Sequence, residues 1–317
     1  MHHAAISVVI PNFNGQHLLL SCLPSVIASS DLYPGETEII VVDDASTDDS
    51  LQVLTEHFSD VVVIKHLQNQ GFSQAVHTGV KACKFDYVFL LNSDVTPEPH
   101  AVEPLMMALK RHPENFSASP LIYKQKGLVG QPSFNKHHIK RGTLKKSNIG
   151  TPLDESKTYP HSNASGGSML FRKQFFIALS GFSDIYRPFY FEDFDLGLRA
   201  WRRGWKTLFV PASKVLHPEG ATIKKTSDMK FIKRTIARNR HLLHWIHLSK
   251  QDLCIAYIPS TFLHLVESLI TLKWNNLGAF FAAVYQSPKA FRMRRKVQAE
   301  SRYSLRSVIN QINQNVN

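Results

Sequence analysis

The fold of this chain is decided by ISVVIPNFNG at residues 6–15 and by EIIVVDDASTD at residues 38–48. In each stretch, consecutive apolar residues run directly into a polar cluster. Consecutive rather than alternating apolar residues are typical of strands that are covered on both faces of a parallel sheet. The segments that follow, 16–28 and 50–58, carry apolar residues at helical spacing. The pattern predicts an α/β fold with a mostly parallel sheet.

This alternation continues along the chain, with strands predicted at 61–64 and 86–91 and helices at 73–84 and 100–111. Ligands of such sheets bind beyond the carboxyl ends of the strands. Polar clusters begin at three of those ends, with Pro11, Asp43 and Asn92. We therefore expect a binding site at this edge of the sheet.

Two adjacent carboxylates, Asp43 and Asp44, close the second strand. One interpretation is that they cap the next helix, since Asp is a favoured N-cap residue. The other is that they hydrogen-bond a base edge or ribose hydroxyls. Pro11 and Asn12 likewise have two interpretations: they form only a strand stop and turn, or they contribute to the same binding site.

A second candidate site lies at Asn92-Ser93-Asp94, after the fourth predicted strand. A carboxylate there suits a hard cation such as Mg²⁺ or Mn²⁺ that bridges diphosphate oxygens. His217 follows a later strand, and imidazole is also a ligand for manganese. The alternatives are a helix cap at Asp94 and a structural role for His217.

Three carboxylates among aromatic residues, Glu192, Asp193 and Asp195, begin a predicted helix. One interpretation is that their negative charge is favourable at the helix N-terminus. The same dipole keeps a carboxylate ionised at neutral pH, as a general base requires. Upstream, Gly166-Gly167 either forms a turn before a strand or lets the backbone approach a ligand closely.

The composition narrows the class of protein. A net charge of +12 in 317 residues indicates anionic partners. Three widely spaced cysteines predict neither a disulfide framework nor a zinc site. The N-terminus shows no basic region or cleavage site of a signal peptide, which indicates a cytoplasmic protein. Apolar runs are interrupted before the ~20 residues of a membrane span, so we expect none.

The second half of the chain is more basic than the first. Residues 124–146 contain seven Lys and Arg and no acid, so a basic loop is predicted over 124–165. Residues 246–317 are predicted to be a helical, basic extension, with aromatic-rich helices at 253–285 followed by a cluster of cations. This composition suits peripheral contact with an anionic membrane through 253–306. It equally suits a helical subdomain or a homodimer interface.

The order and spacing of these motifs resemble the inverting GT-A glycosyltransferases of family 2, which include bacterial rhamnosyltransferases. The resemblance covers roughly residues 6–245, and it rests on VVIPNFNG (8–15), VVDDASTD (41–48), NQGF (69–72), LNSDV (91–95), GGS (166–168), FEDFDL (191–196), Arg199, Gly204, His217 and Arg238-Asn239.

The resemblance implies a Rossmann-like nucleotide-sugar-binding half at 1–123 and an acceptor and catalytic half of the same domain at 124–245. Asp193 would be the catalytic base, and Asp94 and His217 would bind Mn²⁺ or Mg²⁺. Gly166, Gly167, Glu192 and Asp195 would contact the donor or acceptor sugar. The nucleotide would be contacted by Pro11, Asn12, Asp43, Asp44, Asn69, Gly71 and Ser93.

The function implied is transfer of a sugar from a nucleoside-diphosphate donor, dTDP-rhamnose or a UDP-sugar, to a glycan or lipid-linked acceptor. The protein would work in cell-surface polysaccharide assembly, at the inner face of the cytoplasmic membrane. One departure is Asn92, which replaces the first Asp of the family's metal-binding DxD motif and puts metal dependence in question. The alternatives are a sugar nucleotidylyltransferase and a non-catalytic nucleotide-binding or nucleic-acid-binding protein, although no nucleic-acid-binding motif is evident.

Overall fold

The computed structural model describes residues 3–125, 128–129, 135–148, 150–151, 154–163, 165–217 and 228–314. Its strands are β1 (Ile6–Asn12), β2 (Thr37–Asp43), β3 (Val62–Lys65), β4 (Tyr87–Leu91), β5 (Thr96–Pro97), β6 (Asn115–Gln125), β7 (Leu128–Val129), β8 (Asn135–Lys140), β9 (Thr143–Asn148), β10 (Tyr159–Pro160), β11 (Ser168–Arg172) and β12 (Lys206–Leu216).

The helices are α1 (Gln16–Asp31), α2 (Ser50–His57), α3 (Phe72–Ala82), α4 (Val102–Arg111), α5 (Lys173–Ala178), α6 (Glu192–Arg202), α7 (Met229–His247), α8 (Ile258–Ile270), α9 (Trp274–Tyr285), α10 (Ser287–Glu300) and α11 (Leu305–Gln314). A 3-10 turn at Asp184–Tyr186 precedes α6, and a π-helical segment at Asp252–Tyr257 continues into α8.

The central sheet has the strand order β10-β12-β6-β11-β4-β1-β2-β3. Strands β4, β1, β2 and β3 are parallel neighbours, and β12 is parallel to β6. Strand β11 is antiparallel to both β4 and β6. The prediction of an α/β fold with a mostly parallel sheet is therefore confirmed.

Burial on both faces of the sheet explains the consecutive apolar residues of β1. Ile6, Val8 and Ile10 pack with α1, α2 and α4 on one face. Val9 points to the other face, where α3, α5 and α6 cover the sheet. Because each face of the strand is covered, a polar side chain is tolerated only where it finds a partner, as Ser7 does with Glu38 at 2.5 Å.

The helices after residue 228 pack on the domain rather than apart from it, and the described residues 229–314 are largely helical, as predicted. A third apolar cluster joins Leu198 and Trp201 of α6 to buried residues of α7, α9, α10 and α11. The guanidinium of Arg294 also donates to the carbonyl oxygens of Trp245 and Leu248, at 2.7 and 2.6 Å. The C-terminal helices therefore buttress α6.

The predicted basic loop is wrong for residues 135–148, which form the antiparallel hairpin β8–β9. Arg141 and Gly142 at its tip both have positive φ, which matches the two-residue turn that suits hairpin twist. The many lysines of this segment favoured the prediction of a loop. In the structure, Ile139 and Leu144 of the hairpin pack against the third apolar cluster. Residues 126–127, 130–134, 149, 152–153 and 164 of the predicted loop lie outside the described residues.

The expectation that no apolar stretch is long enough to span a membrane is also wrong. The helical stretch Asp252–Ile270 has the length and composition to cross a membrane, although core helices and signal sequences can pass the same test. Polar residues within it, such as His264 and Glu267, break the apolar run in the sequence without ending the helix.

Gly142 offers a test of how the β8–β9 hairpin packs against the segment that precedes α8. A Cβ on Gly142 would overlap the backbone of Ala256 and Tyr257, and φ there is +68°. We expect Gly142→Ala to cost more than about 1 kcal/mol of stability, measured by chemical denaturation. Gly150→Ala is the matched control, because φ is +87° there and nothing lies within 4 Å of its Cβ position. Equal losses in the two variants would contradict this seating.

Candidate active site

The ends of β1 and β2 form the centre of the site, where Asn12 lies opposite Asp43 in register. Asn12 Nδ2 donates to Asp43 Oδ2 at 3.1 Å, and the backbone N–H of Ser46 donates to Asp43 Oδ1 at 3.0 Å. Both side chains are buried. Among the described residues Asn12 Oδ1 has no hydrogen-bond partner, so it offers an acceptor to a ligand. Pro11 pairs with Val42 one position earlier.

Asp44 has a different position from Asp43. Its carboxylate accepts the backbone N–H groups of Gln70 and Gly71, at 2.8 and 2.7 Å, and lies 2.7 Å from His66 Nδ1. The hydrogen bonds of this carboxylate are thus made to neighbouring segments of the chain itself, and only 3% of the residue is exposed. We therefore reassign Asp44 from contact with the nucleotide to holding the segment that precedes α3.

That segment carries Asn69 and Gly71, as the sequence motif requires. Asn69 Nδ2 donates to the carbonyl oxygen of Asp44 at 3.3 Å. Gly71 has φ +83°, and a Cβ there would stand 3.2 Å from Nη2 of Arg187. Arg187 was missed in the sequence, because nothing local links it to a glycine more than a hundred residues away. It brings a cation to the edge of the site.

The antiparallel strand β11 explains why Gly166 and Gly167 reach the end of β4. Ser168 pairs with Leu91, and the backbone N–H of Asn92 donates to the carbonyl oxygen of Gly167 at 2.9 Å. On the opposite side, Ser93 Oγ is 3.4 Å from the position of a Cβ on Gly15, which itself adjoins Asn12. The structure therefore brings the first and fourth strand ends together with the glycine pair.

Asp94 and His217 also meet, although 123 residues separate them. Their Oδ1 and Nδ1 atoms are 3.6 Å apart, and His217 Nδ1 is 3.2 Å from the carbonyl oxygen of Asp94. The contact follows from the pairing of β5 with the end of β12. Within the described residues, no group of three or more His, Cys, Asp or Glu side chains is arranged for a metal ion. A carboxylate and an imidazole fit Mn²⁺ only if phosphate oxygens and water complete the ligand set.

Glu192 and Asp193 begin α6 on the other side of the glycine pair. The Cβ of Asp193 is 3.6 Å from the position of a Cβ on Gly166. Burial, and then the neighbouring Asp193, raise the pKa of Glu192 to about 8. Burial also raises the pKa of Asp193, but backbone hydrogen bonds from Phe194 and Gly166 oppose this increase. At neutral pH Glu192 is therefore protonated, and it lies next to a second buried carboxyl group whose pKa is also raised.

Asp195 lies in the interior, so the predicted sugar contact is replaced by a structural role. Its carboxylate accepts from Arg199 Nε at 2.7 Å and Tyr186 OH at 3.1 Å, and lies 2.8 Å from His247 Nε2. Burial alone would raise the pKa of Asp195, but Arg199 and His247 hold it below its usual value. The residue is 0% exposed and ties α6 to α7.

Asn239 on α7 fixes the segment that leads into α6. Its Nδ2 lies within hydrogen-bond distance of three carbonyl oxygens, those of Tyr186, Phe189 and Tyr190, at 2.7 to 3.0 Å. Tyr190 and Phe191 have positive φ, a conformation that bulky residues rarely adopt without such support. The Arg238-Asn239 motif is visible in the sequence, but its role emerges only from these contacts.

The fold is that of the GT-A glycosyltransferases. The structure superposes on Staphylococcus aureus TarS residues 1–349 in complex with UDP-GlcNAc with a TM-score of 0.58 and 13% identity, over 98% of this chain and 91% of that one. It superposes on GalNAc-T7 with UDP, GalNAc and Mn²⁺ with a TM-score of 0.58 and 20% identity, over 77% of this chain and 48% of that one.

The family model for glycosyl transferase family 2 matches residues 7–179, more than half of the chain, which therefore belongs to this family. An N-acetylglucosaminyl-diphospho-decaprenol L-rhamnosyltransferase of Mycobacterium tuberculosis is 25% identical over 202 residues, which cover 56% of this chain and 66% of the relative. Escherichia coli chondroitin synthase is 32% identical over 100 residues, 31% of this chain and 14% of the relative. Family membership favours sugar transfer over the nucleotidylyltransferase and nucleic-acid-binding alternatives.

The pKa of Glu192 predicts how stability depends on pH. Between its usual pKa of 4.5 and about 8, the unfolded chain loses the proton while the folded chain keeps it, so rising pH favours unfolding. Gln at this position cannot titrate. We therefore expect the melting temperature of Glu192→Gln to rise relative to wild type from pH 5 to 8, measured by differential scanning fluorimetry.

The control for this measurement is Glu56→Gln, which changes an exposed carboxyl group on α2. Its difference from wild type should stay constant across the same range. A constant difference for Glu192→Gln as well would contradict the proton assignment.

Proposed function

We propose that this chain is an inverting glycosyltransferase that moves a sugar from a nucleoside-diphosphate donor, dTDP-rhamnose or a UDP-sugar, to a hydroxyl of a glycan or lipid-linked acceptor. The observation that carries the proposal is the position of Gly166. A Cβ there would stand 3.6 Å from Asp193 Cβ and 3.8 Å from the ring of Phe72. Asp193 thus lies beside the glycine pair and near Phe72, which follows the Asn69–Gly71 segment.

The chemistry is a single displacement. The acceptor oxygen attacks the anomeric carbon and forms the new glycosidic bond, while the bond from that carbon to the diphosphate oxygen breaks on the opposite face. Asp193 accepts the acceptor proton as the nucleophile attacks. Because the displacement is direct, the configuration at the anomeric carbon is inverted and the chain needs no nucleophile of its own.

The donor half of the cleft would be formed by the strand ends. Asn12 Oδ1 is buried at the end of β1 without a hydrogen-bond partner among the described residues, and it would accept from the base or ribose. Asp43, Pro11 and Ser93 would line the same region, and Arg187 beside Gly71 would offset diphosphate charge. We expect Glu192, protonated at neutral pH, to donate a hydrogen bond to a sugar hydroxyl.

Asp94 and His217 would hold the divalent cation, Mn²⁺ or Mg²⁺, with diphosphate oxygens. A bound cation stabilises negative charge on the departing diphosphate. Asn92 is less suited to the metal than an aspartate, since it contributes no charge. Its Oδ1 has no partner among the described residues, so it remains able to accept a hydrogen bond from donor or water.

The acceptor and the location are inferred from relatives. The mycobacterial relative is named for a decaprenol-linked acceptor, and a Pseudomonas fluorescens relative, 34% identical over 105 residues, for undecaprenyl phosphate. We infer a lipid-linked acceptor and a peripheral position at the inner face of the cytoplasmic membrane, in the assembly of cell-surface polysaccharide.

Asp193→Asn tests the base. With the donor that turns over, we expect kcat to fall by roughly 10²–10⁴ while the donor Kd changes little, because the amide keeps the shape but cannot accept the proton. Release of nucleoside diphosphate measures both the donor choice and the rate. Asp60→Asn, an exposed change before β3 at the opposite edge, is the matched control. Unchanged turnover in a folded Asp193→Asn variant would remove Asp193 from the role.

Asp94→Ala tests the cation site. Wild type should bind UDP or dTDP more tightly in Mn²⁺ than in EDTA, whereas Asp94→Ala and His217→Ala should lose most of this difference. Isothermal titration reports the binding without turnover. An unaltered manganese effect in both variants would place the cation elsewhere.

A further inference from the structure

Helices α8 and α9 leave a large apolar surface uncovered. Only 17% of the most apolar part of the helical stretch Asp252–Ile270 is buried inside the protein. More than half of the large apolar side chains that are exposed in the described part of the chain lie between 255 and 291: Ile255, Ile258, Phe262, Leu263, Val266, Leu269, Ile270, Leu272, Trp274, Phe281, Val284, Tyr285 and Phe291. Exposed apolar patches of this kind are uncommon unless a partner covers them.

The exposed residues of each helix share one face. In α8, Ile258, Phe262 and Leu269 are spaced by four and seven residues, and helical geometry aligns them. In α9, Trp274 and Phe281 are spaced by seven residues and are more than 60% exposed. Each helix therefore has one continuous apolar stripe.

Small residues lie on the packed sides of the two helices. Ser268 of α8 and Ala279 and Ala283 of α9 are 0% exposed, and Asn276 Nδ2 donates to Ser268 Oγ at 3.2 Å. The segment before α8 is held by Tyr257, which is 3% exposed within the third apolar cluster. The pair thus forms a hairpin packed on the domain, with the side opposite its small residues uncovered.

The charge around this hairpin is almost entirely positive. Residues 228–314 contain fourteen Lys and Arg but four Asp and Glu. Three of the four acids form ion pairs: Asp252 with Arg306, Glu267 with Lys273, and Glu300 with Arg203. Exposed cations flank the hairpin, including Lys289 and Arg292 of α10, and Arg234, whose Nη2 donates to the carbonyl oxygen of Gly278 in α9.

We propose that the exposed apolar side chains of α8 and α9, which we call the hairpin face, seat the protein on an anionic lipid surface. Apolar side chains would enter the headgroup boundary while the flanking cations contact lipid phosphates. A second copy of the chain is the poorer occupant, because it would bring like charges together. The inference rests on the proposed function in one respect: contact with the membrane would bring the site close to a lipid-linked acceptor.

The test uses the full chain and vesicles of phosphatidylcholine, with or without phosphatidylglycerol, in a co-flotation assay. Wild type should bind the anionic vesicles, and binding should weaken as salt screens the lipid charge. The double variant Phe262→Glu/Leu269→Glu should bind at least about tenfold more weakly, since both side chains are exposed and lie on the hairpin face. Met107→Glu, an equally exposed apolar site on α4, should bind as wild type does.

A second readout comes from Trp274, which is 63% exposed. Its fluorescence should shift to shorter wavelength on anionic vesicles, and Trp274→Phe should remove most of that shift. Undiminished binding by the double variant would overturn the proposal. So would a vesicle-free dimer that the double variant dissociates, since the occupant would then be a second copy.

Nucleoside-diphosphate binding separates this inference from the proposed function. The double variant should bind UDP or dTDP as wild type does, because the hairpin face contains none of the site residues. If the wild type transfers sugar to a soluble acceptor but does not bind anionic vesicles, the lipid contact of the hairpin face is refuted and the proposed function is not. A wild type that binds vesicles through the hairpin face yet transfers no sugar would refute the proposed function alone.

Discussion

A single buried carboxylate, that of Asp44, holds together the ends of β2 and β3 and the segment that leads into α3. It follows β2, lies 2.7 Å from a ring nitrogen of His66 after β3, and accepts two backbone N–H groups at the start of α3. Unsatisfied buried charge is costly, so each of these contacts also stabilises the carboxylate. Asp43, one residue earlier, instead accepts hydrogen bonds from Asn12 and from the backbone N–H of Ser46.

The start of α6 is held in the same way by a second buried carboxylate. Asp195 faces inward to Arg199 and His247, while Asp193, two residues earlier on α6, lies beside Gly166. Helix α7 contributes both His247 and Asn239 to this arrangement. Helix α7 therefore belongs to the same packed unit as α6, and a boundary after residue 245 would cut through α7 and separate His247 from Asp195.

The sequence was sufficient wherever the signal was local. Consecutive apolar residues predicted the parallel strands, and their polar ends predicted where Asn12, Asp43 and Asn92 would meet, because parallel strands bring their carboxyl ends to one edge. The glycine pair joined that edge through β11, an antiparallel strand whose partner no local pattern reveals. The contact between Asp94 and His217 likewise depends on the distant pairing of β5 with β12.

The sequence was insufficient where adjacent residues differ in the direction they face. Asp43 and Asp44 are adjacent residues of the same type. Only their hydrogen-bond partners show that Asp43 contacts Asn12, whereas Asp44 holds the segment before α3. Asp193 and Asp195 differ for the same reason, since one faces Gly166 and the other His247. Arg187 was found only because Gly71 brings it close, and the hairpin at 135–148 was concealed by lysines whose charge suggested a loop.

The central claim is that the strand ends joined through Asp44 bind the nucleoside diphosphate of a sugar donor. The most direct measurement is equilibrium titration of the folded chain with UDP and with dTDP, in the presence of manganese, with GMP as the comparison. We predict saturable binding of one of the two pyrimidine diphosphates, competed by its nucleotide sugar and lost in Asp43→Ala. Binding of neither one by a folded chain, or binding that Asp43→Ala leaves intact, would contradict the account.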